Sequence, residues 1–385
     1  MQHVVAPLGV RLDACLPCCN TLDHRHLLAR NSSRCMEKRT FFIKPSRSLD
    51  GEDKLDPVVV ARNHARGVET SLSLDTNILI SMEKVVKNGN KWSSVKAQGL
   101  HNLISLLQRC PPKSICISPG LALKEMPPEA ANRSRDYYEA FLSAHLPGFI
   151  DTPNSTRTIF KTAGDSYGFE DLSPESQAVM AVPFTCIAYL NLVDKKANGK
   201  PIDKFKAYLD CLETKIDILS AAEIEIAKYC FAEPPADCRE IIDIRKKIRS
   251  NFLKTGDDKS PRSPSEVLAI AFNGASDLLL LQAANHIDEY GLDGVRQDSW
   301  VATKDKKLVD FSNVFHHLNV DGEAGKYAVR SIGVEHSKDG YWNQAEMYFG
   351  VRSIRRAHYN QSREISMGAF VEAAYAVIEE VRLQF

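Results

Sequence analysis

The fold of this chain is decided by the stretch Ser71–Ile80, which reads SLSLDTNILI. Its first half alternates leucine with serine, as a strand does, and its second half resumes apolar residues at helical spacing. Asp75 and Asn77 stand where the two patterns meet. Asp75 is therefore predicted to lie at the carboxyl end of a strand, where an α/β sheet places its chemistry.

Two further segments repeat the pattern of a strand followed by an acid. The β-branched run Ile115–Ser118 ends at a Pro-Gly pair, and the helix predicted after it carries Glu125 in its opening turns. The run Trp300–Thr303 is also predicted to be a strand and stops beside Asp305. Both acids are expected at the same edge of the sheet as the first one.

A fourth acid is predicted on the inward face of a helix. The segment from about residue 276 to 289 places Asp277 on one stripe with Leu280, Leu281 and Ala284. Buried carboxylates repel one another and lose hydration unless a cation compensates them. Four acids at one sheet edge therefore predict a metal, and oxygen ligands without His or Cys favour Mg²⁺ or Mn²⁺ over Zn²⁺. These ions bind phosphates, so the pattern indicates phosphodiester chemistry.

The order of these signals resembles that of the PIN-domain nucleases. The resemblance lies in four features: Asp75-Thr76-Asn77, Glu125 after the second strand, Asp277 on a later helix, and Thr303-Lys304-Asp305. It implies a three-layer α/β/α domain with a central parallel sheet, in which the four acids are both the catalytic residues and the metal ligands. Asn77 and Thr303 would hold the carboxylates in place.

The activity implied by the resemblance is a Mg²⁺- or Mn²⁺-dependent endonuclease that acts on RNA and leaves 5′-phosphate and 3′-hydroxyl ends. A toxin-like or phage-defence ribonuclease is a biological role within this interpretation. Two alternatives remain open, a structure-specific DNA nuclease with the same acids and a catalytically idle scaffold that needs no metal. Each acid taken singly also has a simpler explanation as a helix N-cap or turn former.

The resemblance covers residues 70–126 and 262–320 and predicts five segments. They are an N-terminal extension with little order (1–69), two parts of the PIN-like domain (70–126 and 262–320), a large helical insertion (127–261), and a C-terminal extension that ends in a helix (321–385). In the first segment Cys15, Cys18 and Cys35 allow a zinc site with incomplete spacing, or the segment is a leader that precedes a start at Met36.

Composition gives no global signal for a nucleic-acid partner, because Lys plus Arg and Asp plus Glu each number 49. Phosphate contacts must come from local patches. The candidates are Arg245, Lys246, Lys247 and Arg249 on one predicted helix, and Lys304 beside the site. A solvated helix face is the alternative for the first four. An inhibitor protein and a second copy of the chain are further candidate partners.

Neither a membrane span nor an export signal is predicted. The longest apolar stretch, residues 178–193, is short and contains Pro183 and Asn191. A cytoplasmic protein is therefore expected, and most of its 10 cysteines should be free thiols. They include Cys116, Cys186, Cys211, Cys230 and Cys238.

Overall fold

A four-stranded sheet built around the stretch with Leu72 and Leu74 organises the chain. The computed structural model describes residues 39–48, 54–149, 167–196, 199–233, 239–255, 259–292, 294–320, 323–330, 340–359 and 366–385. The strands in these ranges are β1 (Phe41–Ile43), β2 (Ser46–Ser48), β3 (Val68–Leu74), β4 (Ile115–Ser118), β5 (Arg296–Thr303), β6 (Phe315–Val320) and β7 (Glu323–Arg330).

The central sheet has the strand order β1-β5-β3-β4. β3 pairs in parallel with both β4 and β5, and β1 adds an antiparallel edge to β5. The β3–β5 register places Leu74 opposite Ala302, so the two strands end together and bring Asp75 beside Thr303. A second sheet has the order β2-β6-β7. The predicted α/β class with a mostly parallel central sheet is confirmed.

Helices account for most of the described residues. They are α1 (Pro57–Ala65), α2 (Thr76–Lys87), α3 (Trp92–Ala97), α4 (His101–Arg109), α5 (Gly120–Lys124), α6 (Pro128–His145), α7 (Pro174–Lys196), α8 (Pro201–Cys211), α9 (Ala221–Phe231), α10 (Arg239–Phe252), α11 (Pro264–Tyr290), α12 (Lys306–Val314), α13 (Gly340–Tyr359) and α14 (Met367–Gln384). Several begin at a proline, which suits the first helical position because no partner is needed there for its missing N–H.

Each face of the central sheet packs against its own apolar cluster. Side chains alternate along a strand, so Trp300 and Ala302 lie on one face of β5 and Val301 on the other. Trp300 and Ala302 join Leu72 and Leu74 in a cluster with α2, α4 and α6. Val301 belongs to a larger cluster built from α7, α9, α11 and α14. The sheet is therefore buried on both sides, as parallel strands require.

The helix α6 opens the segment predicted to be a helical insertion (127–261) and packs against the central domain. This helix packs on α2, and its Tyr138 and Phe141 are buried in the same cluster as Leu72. Another helix of this segment, α7, packs on both α11 and α14. Local periodicity detects an amphipathic helix but does not reveal which distant surface covers its apolar face.

The boundary predicted at residue 320 also differs from the structure, because it cuts a hairpin. β6 and β7 pair antiparallel, with Leu318 opposite Tyr327. Beyond the hairpin, the predicted final helix is present as α14, and its Phe370, Val377 and Val381 are buried.

Part of the segment predicted to be an N-terminal extension with little order (1–69) is folded onto the central sheet. Residues 41–43 form the edge strand of the central sheet, and α1 packs on β3. A strand of three residues is too short to show alternation, and its partner lies about 260 residues away in sequence. The candidate zinc ligands Cys15, Cys18 and Cys35 lie outside the described residues.

Two of the helices are longer and more apolar than the sequence analysis predicted. By length and composition alone, α7 and α11 are each long and apolar enough to cross a membrane. However, 78% of the most apolar part of α7 and 61% of that of α11 are buried inside the protein. They pack against each other and form much of the larger cluster. Cys116, Cys186, Cys211 and Cys230 are free thiols as predicted, and Cys238 lies outside the described residues.

A buried cluster of three charged side chains links the edge strand β1 to the rest of the fold. Lys44 follows β1 and lies 2.7 Å from Asp288 on α11 and 2.8 Å from Asp298 on β5. All three side chains are at most 14% exposed. Because one cation serves two carboxylates, its removal leaves both acids in a desolvated place without a counter-charge.

We predict that Lys44→Met lowers the free energy of unfolding by about 3 to 5 kcal/mol, the usual cost of breaking a buried ion pair from one side. Chemical denaturation of the full chain measures the change. Lys54→Met is the matched control, since Lys54 is exposed and lies in the same part of the sequence. Equal stability of the two variants would contradict the role given to Lys44.

Candidate active site

Asp75 occupies the end of β3 and is the N-cap of α2. Its carboxylate accepts a hydrogen bond from the backbone N–H of Asn77 at 3.3 Å, and further ones from the Asn77 amide and the Thr303 hydroxyl. The side chain is nearly buried. Burial raises the pKa of the Asp75 carboxyl, although the hydrogen bond from Thr303 acts in the opposite direction.

Thr303 and Asn77 link the two strand ends. The fully buried Thr303 hydroxyl donates to Asp75 and accepts from the backbone N–H of Asp305 at 2.8 Å. The Asn77 amide donates to the Thr303 oxygen at 3.3 Å, and its own oxygen accepts from the backbone N–H of Lys304 at 2.8 Å. Both residues therefore hold Asp75 and the start of α12 in one arrangement.

Asp305 is the N-cap of α12 and accepts from the backbone N–H of Lys307 at 2.7 Å. It is half-buried. Its charge is one of the causes that raise the pKa of Asp75, so the two carboxylates interact across the β3–β5 pair.

Glu125 follows the short helix α5, one residue beyond its last turn, instead of lying in the opening turns of a helix. Its Oε2 atom accepts a hydrogen bond from the Thr76 hydroxyl at 2.6 Å. Burial raises the pKa of Glu125 to about 7, and the charge of Asp75 contributes to the shift. Glu125 is therefore able to exchange a proton near neutral pH.

Asp277 lies in the middle of α11, because that helix begins at Pro264, about twelve residues before the predicted start. The explanation of Asp277 as a helix N-terminal acid therefore does not apply. Its Oδ2 atom accepts from the Asn251 amide at 2.9 Å. Burial raises the pKa of Asp277 well above its ordinary value, and the charges of Asp75, Asp305 and Glu125 raise it further.

In the structure Asp277 thus lies within electrostatic reach of the other three predicted acids, and Asp75 lies within reach of Glu125 and Asp305. They come from β3, from the turn after α5, from α11 and from the end of β5. Across the part of the chain that the structure describes, no three His, Cys, Asp or Glu side chains are grouped tightly enough to hold a metal ion. The residues nevertheless fit a hard divalent cation by their chemistry, because the donors are oxygens and the acids disfavour one another's charge.

Comparison with protein-family models, with curated proteins and with solved structures finds no match to this chain.

Two of the predicted phosphate-binding residues are used inside the fold. Arg249 donates to a backbone carbonyl of α9 and lies 3.1 Å from Asp194, and Lys247 lies 2.8 Å from Asp310 on α12. These pairs fasten α10 to its neighbours. The structure therefore does not support a phosphate-binding face that includes Arg249 and Lys247.

The other three predicted residues differ in their surroundings. Arg245 is half-buried, and burial followed by the charge of Arg249 lowers its pKa. Lys246 is exposed on α10. The Lys304 ammonium donates to the Ser81 hydroxyl on α2 at 2.7 Å.

Sequence reasoning missed two polar partners of the acids, Thr76 and Asn251. Thr76 lies inside the Asp-Thr-Asn stretch, and its contact with Glu125 depends on how α5 returns to the sheet. Asn251 lies 26 residues before Asp277 in a segment assigned to an insertion. No periodicity or motif connects these pairs, because each contact exists only in the folded chain.

We predict that metal-free protein loses stability as the pH rises from about 5 to 8. The folded-state pKa of Glu125, about 7, lies above its ordinary 4.5. Between these values the folded state retains a proton that the unfolded chain releases, so rising pH favours unfolding. Asp75 and Asp277 act in the same direction because their pKa values are also raised.

Glu125→Gln removes one of these titrations and should reduce the loss by about 2 to 3 kcal/mol, as follows from the size of the shift. Denaturant unfolding in EDTA across this pH range measures it, with Glu139→Gln on the exposed face of α6 as the matched control. An unchanged pH slope in Glu125→Gln would contradict the assignment.

Proposed function

We propose that this protein is a metal-dependent phosphodiesterase with a PIN-like α/β/α architecture that cleaves RNA with Mg²⁺ or Mn²⁺. The observation that carries the proposal is that Asp277 on α11 lies within electrostatic reach of Asp75, Glu125 and Asp305, and that Asp75 and Asp305 follow the paired strands β3 and β5. Carboxylates that disfavour one another's charge in a desolvated place are stabilised by a bound divalent cation.

Asp75 and Asp305 are the residues that would hold the ion, with Asp277 completing the set of oxygen donors. When bound there, the ion supplies a Lewis acid that lowers the pKa of water and offsets charge on the phosphoryl oxygens. Thr303 and Asn77 keep Asp75 in one rotamer, so the carboxylate needs little reorganisation to bind.

Glu125 is suited to accept a proton from the attacking water. Its Oε2 atom accepts a hydrogen bond from Thr76, so Oε1 is the oxygen that would take up the proton. Burial raises the pKa of Glu125 to about 7 in the metal-free protein, and a cation bound nearby would lower it and so favour the charged carboxylate that accepts a proton.

The surroundings of the acids support a polyanionic substrate. Lys124 and Lys306 are exposed and directly adjoin Glu125 and Asp305 in sequence. Cations beside a group of carboxylates attract phosphates that the carboxylates alone would repel. RNA is proposed over DNA on the resemblance to the PIN-domain nucleases.

A metal-free interaction scaffold is the second candidate. It is favoured by the absence, within the described ranges, of three acids arranged tightly enough to hold an ion, and by the capping roles of Asp75 and Asp305. In that case the acids serve the fold alone, and their charge has no function.

Replacement of the capping acids by amides separates the two candidates. Asn caps a helix about as well as Asp does, so Asp75→Asn and Asp305→Asn should fold normally. Each should reduce Mn²⁺-dependent cleavage of single-stranded RNA by more than about 100-fold, because even the partners of metal ligands contribute about 10- to 100-fold.

Asp56→Asn is the matched control for this experiment. Asp56 is also a helix N-cap, because its carboxylate accepts from the backbone N–H groups of Val58 and Val59 at the start of α1, and it is not among the interacting acids. Cleavage that persists in Asp75→Asn and Asp305→Asn at the wild-type rate would reject the role of these acids in catalysis. A wild type that neither binds Mn²⁺ nor cleaves RNA, with all variants equally stable, would leave the scaffold.

A further inference from the structure

The C-terminal end of α10 reaches the group of acids and contributes a side chain to it. Asn251 lies in the last turn of this helix, and its amide nitrogen is 2.9 Å from Oδ2 of Asp277. The contact comes from the segment that the sequence analysis assigned to an insertion outside the site. It makes α10 part of the surroundings of the acids.

Close packing against α11 holds the end of α10 at this position. A Cβ atom at Gly274 would lie 2.8 Å from the ring of Phe252, which is closer than carbon atoms approach in proteins. The missing side chain therefore lets α10 come within reach of α11 one turn before Asp277. The neighbouring Asn251 is thereby directed to the carboxylate.

Two hydrogen bonds from other helices fasten the same turn. The buried amide of Asn191 on α7 donates to the backbone carbonyl of Phe252 at 3.0 Å. The ammonium of Lys307, which follows the site residue Asp305, reaches the carbonyl of Ser250 at 3.1 Å. The turn that carries Asn251 is therefore fixed by contacts with α7, α11 and α12. These contacts orient the Asn251 amide toward Asp277 in the folded protein.

We infer that Asn251 is a positioning residue that orients Asp277 toward the bound cation. By donating to Oδ2 it fixes the rotation of the carboxylate and leaves Oδ1 to bind. An amide suits this position because it donates a hydrogen bond without adding a fifth negative charge or a positive charge that competes with the ion. The inference rests on the proposed function. It assigns the segment before α11 a role in cleavage itself.

Two variants of the full chain test this role. Asn251→Ala removes the donor, and Asn251→Leu removes it while nearly preserving the shape of the side chain. The matched control is Ser250→Ala, because Ser250 adjoins Asn251 and its hydroxyl donates to the carbonyl of Lys247 instead of to an acid. Free Mn²⁺ measured by electron paramagnetic resonance reports binding independently of turnover.

Both Asn251 variants should bind Mn²⁺ about 10-fold more weakly and lose about 10- to 100-fold in kcat at saturating RNA and Mn²⁺, the range found for partners of metal ligands. Their KM for RNA should stay within about twofold of the wild-type value, because Asn251 is given no contact with the substrate. Ser250→Ala should match the wild type in all three quantities.

Wild-type Mn²⁺ affinity and kcat in Asn251→Leu would overturn the inference and leave the proposed nuclease standing. A wild type that neither binds Mn²⁺ nor cleaves RNA would overturn the proposed function, and the inference with it. If Asn251→Ala melts at a much lower temperature than the wild type, Mn²⁺ affinity and kcat of Asn251→Leu alone test the inference.

Discussion

Parallel pairing of β3 with β5 is the constraint on which the rest of the structure depends. It makes two strands that are more than 200 residues apart in sequence end side by side, with Leu74 opposite Ala302. Only in this register does the buried Thr303 hydroxyl reach both Asp75 and the backbone of Asp305. The helices on the two faces cover the sheet, and α11, which packs on β5, carries Asp277 to the same edge.

Helix capping explains the positions of two acids but not their charge. Asp75 and Asp305 each satisfy a backbone N–H at the start of a helix, and Ser or Asn would do this equally well. The charge of Asp305 is one of the causes that raise the pKa of Asp75, and burial together with the neighbouring acids raises the pKa of Asp277, so a negative charge on Asp75 or Asp277 is unfavourable in the absence of a cation. Under the proposed function, the charge of these two caps serves to bind the cation.

The elements nearest the acids could be predicted from sequence, because local patterns determine them. Alternation in residues 71–74, the Pro-Gly stop before Glu125 and the strand before Asp305 all give short-range signals, and the structure has β3, β4 and β5 there. The edge strand at residues 41–43, the start of α11 at Pro264 and the docking of α6 on α2 could not be predicted. Their boundaries depend on contacts with distant segments, which also decide the partner of Asn251.

The direct test of the account is the position of a bound ion. Crystals of the full chain soaked in MnCl₂ and measured near the manganese absorption edge would show it by anomalous scattering. The account predicts a peak at the carboxyl edge of the central sheet, at direct coordination distance, about 2 Å, from oxygens of Asp75 and Asp305. The absence of a peak at this edge at saturating Mn²⁺, with the four acids keeping their present hydrogen bonds, would contradict it.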